Sequence, residues 1–182
     1  IDLSEHDLTG TILTGADLSK TNLSGADLSG INLSGAILTD TDLSGINFAD
    51  SNLSGADLSY SDLSRVELTG SDMTGSKLIG INFSGMDLTG ATLIDADFTN
   101  ANLSGVDLTG KDLTGAIFTN TNLTGVNLTG TILFGADFSY LDLSGVDLTG
   151  KDLTGINLSG ADLTGINLSG ADLSGTDLSG AV

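Results

Sequence analysis

Carboxylates and hydroxyls are the groups in this sequence that could do chemistry, and both recur at fixed intervals. The chain of 182 residues carries 24 Asp and Glu, one His and no Cys. Asp or Asn is followed two residues later by Ser or Thr, as in Asp2–Ser4, Asp7–Thr9, Asn22–Ser24 and Asp27–Ser29. Acid–base catalysis needs paired groups whose environments pull their pKa values apart. Carboxylates repeated in one setting do not supply that difference. A Ser–His–carboxylate set would have to be built on His6, close to one end of the sequence. Without Cys there is no disulfide and no thiolate metal site. The calcium-binding nonapeptide G-G-x-G-x-D is absent as well. Neither catalysis, a cofactor nor a metal site is expected.

These groups are positioned by a five-residue beat. Cut from Ile1, the chain reads IDLSE, HDLTG, TILTG, ADLSK, TNLSG, ADLSG, and the register holds through 36 units to Gly180. The third position is always Leu, Phe or Met, with 30 Leu, five Phe and Met73. Ser or Thr fills the fourth position in 32 units, and all 26 Gly fall at the fifth. Apolar residues at positions one and three alternate with polar ones at two and four, which is the pattern of a strand. A residue that tolerates a corner then interrupts the alternation. Strand, corner, strand, without pause, makes a coil. A helix would need apolar spacings of three and four, which a strict beat of five cannot sustain.

Units such as ADLSG at 26–30 and ANLSG at 101–105 resemble the pentapeptide-repeat proteins, whose motif is Ala-(Asp/Asn)-Leu-x-x. The resemblance covers the whole chain. It implies an all-β fold: a right-handed quadrilateral β-helix with four units per coil and positions one and three inward. Internal recurrences agree with a coil of 20, since GVDLTGKDLTG at 105–115 returns at 145–155 and Tyr60 and Tyr140 lie 80 apart. One domain over 1–182, of about nine coils, is expected. At a strand spacing of ~4.8 Å the rod would be roughly 44 Å long. Neither end shows a capping helix, so a longer parent chain, or copies stacked end to end, is expected to cover the edges of the first and last coils.

Taken every fourth unit, the sequence sorts into four faces. Face one starts at Ile1, face two at His6, face three at Thr11 and face four at Ala16. Face two has no Lys or Arg and is the most acidic; its outward column includes Asp7, Asp27, Glu67, Asp87, Asp107 and Asp147. On face one, Asn82, Asn102 and Asn122 stand on successive coils, where uncharged amides relieve repulsion between rungs. These Asp and Asn columns either support the turns and keep the rod in solution or form a recognition surface. Faces three and four place apolar residues outward: Ile12, Ile94, Ile132 and Phe134 on face three, and Ile37, Ile79 and Ile117 on face four. Ile94, Ile132 and Phe134 lie within two coils and form a candidate protein-contact patch. Lys111 and Lys151 occupy inward first positions on face three. Burying a lone ammonium is costly. Either the stem packs inside while the amine reaches out past the corner, or the amine pairs with a nearby Asp.

A formal net charge of −19 sets the chain against direct binding of nucleic acid or an anionic membrane surface. Apolar runs of two or three residues cannot cross a bilayer as a helix. The expected function is a non-enzymatic acidic rod that binds a protein partner or associates with itself, end to end or laterally. The resemblance also implies DNA mimicry toward gyrase-type topoisomerases: one net negative charge per ~2.3 Å of rod compares with one per ~1.7 Å of duplex. A consensus-like solenoid without specific activity is the third reading, against which the irregular Glu5, Arg65, Lys77 and Phe134 stand.

Overall fold

The structure is a computed structural model and describes residues 2–182. It holds no helix and no long strand. Successive coils touch through single parallel bridges at the second position, and every bridge joins residues 20 apart, from Asp2 with Asn22 to Asn157 with Asp177. The chain is a β-helix.

The corner follows from two observations. The third-position carbonyl accepts the first-position N–H of the next unit, as from Ala26 to Leu23 and from Ala56 to Leu53, both 2.9 Å. The fifth residue lies in the left-handed region at every corner, with φ between +53° and +78°. Positive φ at the third residue of a hydrogen-bonded turn, and not at the second, defines type II. Gly is the default there because it has no Cβ to clash. Ten corners nonetheless carry another residue, from Glu5 to Tyr140.

Between coils, the third-position and fifth-position amides reach forward and the second-position amide reaches back. Leu33 donates to the Asn52 carbonyl and Gly35 to that of Ser54, both at 2.8 Å, and Ile37 donates to the Ala16 carbonyl at 2.9 Å. Four of the five amides in a regular unit are thereby satisfied by backbone.

Every third-position side chain from Leu18 to Leu158 is buried. On face four, Phe98 stacks on Phe118 at 5.3 Å between ring centroids, and Phe118 meets Phe138 edge to face at 5.1 Å. The first position decides how closely coils approach. Ala, Ser or Thr sits there at most intact bridges. Where Ile81, Met86, Val106, Lys111, Leu141, Val146, Lys151 or Ile166 occupies it, the bridge in that unit to the preceding coil is missing among the described residues. The rule is not strict: Thr41 sits at a gap, while Ile31, Ile46, Val66, Val126 and Ile156 are accommodated. Bulk beside the close-packed third-position ladder disturbs the bridge locally, because interiors packed at crystal density have little room to absorb extra atoms, while the fifth-position bond can persist, as from Gly70 to the Thr89 carbonyl at 3.0 Å.

Candidate functional site

With no interior cavity on view, the candidate site is the outer surface. Its commonest element is local. Each second-position Asp or Asn turns its Oδ1 back to accept the N–H of the fourth residue, at 2.8 to 3.2 Å. This is the one amide that the backbone leaves over, so the side chain completes the unit's hydrogen bonding. Ser or Thr at the fourth position often adds its hydroxyl to the same oxygen, as Thr9 does to Asp7 at 2.6 Å. Glu67 reaches the Thr69 amide only at 3.4 Å, because its extra methylene displaces the carboxylate.

Those bonds favour the ionised carboxylate. Hydrogen bonds from the Thr two residues on hold Asp7, Asp87, Asp107 and Asp147 of face two below the ordinary carboxyl value of 3.8. Asp7, Asp27, Glu67, Asp87, Asp107 and Asp147 are all exposed, one above another along one side. On face one, Asn102 donates its side-chain amide to the Asn82 Oδ1 at 3.0 Å and Asn122 does the same to Asn102 at 3.1 Å, an amide ladder climbing three coils.

The apolar residues of face three divide. Ile132 and Phe134 are 52% and 62% exposed, whereas Ile94 is half-buried. The two lysines are half-buried, and neither forms an ion pair with an Asp among the described residues. Lys111 Nζ folds back to donate to the carbonyls of Leu88 at 2.5 Å and Ala91 at 2.8 Å. Lys151 Nζ donates to the Leu128 carbonyl and to Thr131 Oγ1 at 3.1 Å. Burial pushes both amines below their ordinary value. Carbonyls of the preceding coil, joined by the Thr131 hydroxyl for Lys151, accept from the amines. The ion pair among the described residues is elsewhere, between Lys77 and Asp57 at 3.3 Å on face four. No set of three His, Cys, Asp or Glu side chains converges on a metal position among the described residues, and no helix is long and apolar enough to cross a membrane.

Sequence reasoning passed over one feature. Of the ten non-Gly corners, Lys20, Asp40, Tyr60, Asn100, Asn120 and Tyr140 share the corner that ends face four. Tyr60 and Tyr140 lean against Gly80 and Gly160 of the next coil, where an added Cβ would come within 2.6 and 2.7 Å of the rings. Sorting the fifth position by face would have exposed this column.

A family profile described as pentapeptide repeats matches in repeated copies over residues 1–40, 36–75, 67–105, 76–115, 96–133, 112–150 and 152–182. The chain belongs to the pentapeptide-repeat family. Among solved members, HetL, a pentapeptide repeat protein involved in heterocyst differentiation regulation from the cyanobacterium Nostoc sp. strain PCC 7120, is 33% identical over 100% of this chain and 86% of its own, with a TM-score of 0.48. A trypsin-treated form of QnrB1, a plasmid-mediated fluoroquinolone resistance protein, is 26% identical over 100% of this chain and 88% of its own, with a TM-score of 0.55. No curated protein sequence matches significantly. Pentapeptide-repeat architecture accounts for the whole described chain.

Proposed function

We propose that this protein is a non-enzymatic binding rod that engages a protein partner through its outer surface. The observation that carries this reading is the use made of the carboxylates. Each second-position Asp spends Oδ1 on its own turn, which fixes the group outward in one repeated setting. A fixed array of like groups suits recognition; it lacks the two unlike environments that proton transfer requires. Ile132 and Phe134 supply an apolar contact within that polar lattice.

The test uses substitutions that conform to the repeat. Ile132→Asn installs the missing side-chain acceptor, and Phe134→Thr restores the usual fourth residue, so the fold is retained. Immobilised wild type is expected to retain a partner that the double variant releases. If wild type retains nothing and stays monomeric at high concentration, the reading fails.

A second reading is favoured by one further observation. Face two presents its exposed acidic column with no Lys or Arg of its own, and QnrB1 shares the fold. Mimicry of duplex DNA toward a gyrase-type topoisomerase is the reading that this charge pattern supports. A supercoiling assay with micromolar rod decides it, since an unaltered rate rules mimicry out.

A further inference from the structure

Leucine appears at a first position once, at Leu141, and it is buried. The coil step beside it is open. No bridge joins Asn122 to Asp142, and among the described residues the amides of Leu123, Gly125 and Asp142 donate to no backbone carbonyl. One coil earlier on the same face the step is closed, with Leu103 donating to the Asn122 carbonyl and Asn122 to that of Ala101, both at 2.9 Å. Opening the step therefore deprives the Thr121 and Asp142 carbonyls of their usual coil-to-coil donors.

The result is a groove of about 360 Å³ lined by Asn120, Asn122, Tyr140, Asp142 and Ser144, among others. Tyr140 contributes an exposed ring that rests against Gly160. Asp142 gives Oδ1 to the Ser144 amide at 2.9 Å, and its Oδ2 has no hydrogen-bond partner among the described residues. No Lys or Arg lines this groove, whereas another open step beside that corner, between Asp62 and Asn82, is lined by the chain's own Arg65.

We propose that this groove receives an arginine side chain presented by a basic partner protein. A guanidinium is planar, stacks on an aromatic face and offers five donors in a fixed fork. Those donors match the Asp142 carboxylate and the carbonyls left over at the step. A lysine could meet the charge but not the plane. The net charge of −19 draws a basic partner toward the rod before contact. The proposal rests on the reading of the rod as a protein-binding surface and gives that partner a chemistry.

The chain has two Tyr and no Trp, so Tyr60→Phe leaves Tyr140 as the sole source of tyrosine emission. In that background a short blocked peptide with arginine at alternate positions is expected to change Tyr140 emission saturably. Its citrulline counterpart, which keeps the shape without the charge, should not. By calorimetry, Asp142→Asn keeps the turn bond but removes the charge, and should weaken binding about three- to fivefold. Tyr140→Ala should weaken it by a similar factor, about two- to fivefold. Leu141→Ala closes the step and should abolish the emission change. Equal binding of the arginine peptide to wild type, Asp142→Asn and Tyr140→Ala would show attraction to the rod's overall charge and overturn the proposal. An emission change caused by an oligosaccharide and not by the peptide overturns it too. If the peptide fails while the partner is still retained through Ile132 and Phe134, the groove falls and the binding-rod reading stands.

Discussion

Faces two and four are written in the same five-letter pattern, yet they are built differently. Face four has Ala, Ser or Thr at nearly every first position, and its bridges run unbroken from Asp17 to Asp177. Face two carries Val66, Met86, Val106, Val126, Val146 and Ile166, and no bridge joins 67 to 87, 87 to 107, 127 to 147 or 147 to 167 among the described residues. The Phe98–Phe118–Phe138 stack lies under the closed face. The difference teaches that the inward first position, rather than the conspicuous Leu column, sets how tightly neighbouring coils are joined.

The largest test of this contrast lies in the core. Phe118→Ala should cost about 3–5 kcal/mol, whereas Leu128→Ala under face two should fall near the lower end of the ~2–5 kcal/mol range, because a loosened wall can settle into the space. Urea unfolding measures both. Equal losses would mean that the missing bridges do not loosen face two. A smaller effect comes from forcing bulk into the tight face. Ala96→Ile should cost about 1–3 kcal/mol by overpacking and should speed hydrogen exchange at the Asp97 amide. Val146→Ile, on a face already open, should cost less than about 1 kcal/mol. If Asp97 exchanges as slowly in the variant as in wild type, the account of bulk disturbing the bridge is wrong.

The smallest effects concern the outward column of face two. Asp107→Ala removes the acceptor for the Thr109 amide and should lower the melting temperature slightly, while Asp107→Asn keeps it and should be near neutral. Acid adds a check. Carboxyls with depressed folded pKa values contribute stability that is complete above their unfolded value and is lost as pH falls through the folded one. The melting temperature should therefore drop as pH falls below the ordinary 3.8 of Asp87, Asp107 and Asp147. Replacing those three with Asn should flatten that slope.

Much of the fold was legible because alternation and corner residues are local properties. Leu23 inward, Asp27 outward and Gly30 at a corner follow from five residues alone, and the turn-supporting use of Asp was one of the two readings weighed. Matters decided between coils were not legible. Lys111 could be placed inside, but its acceptors, the Leu88 and Ala91 carbonyls, lie 23 and 20 residues away and are chosen by how the coil closes. The half-buried setting of Ile94, beside the exposed Phe134 of the same column, likewise depends on neighbouring coils. Leu141 was visible as an odd letter, but its effect required knowing what stood one coil below.

Leu141 also bears on how such a surface can change over time. The groove beside Tyr140 is shaped by a side chain that no partner touches. Two rods could share every solvent-facing letter and still differ in where they are indented. Selection for a new partner could act on hidden positions first, and a comparison confined to the outer columns would score the two as identical.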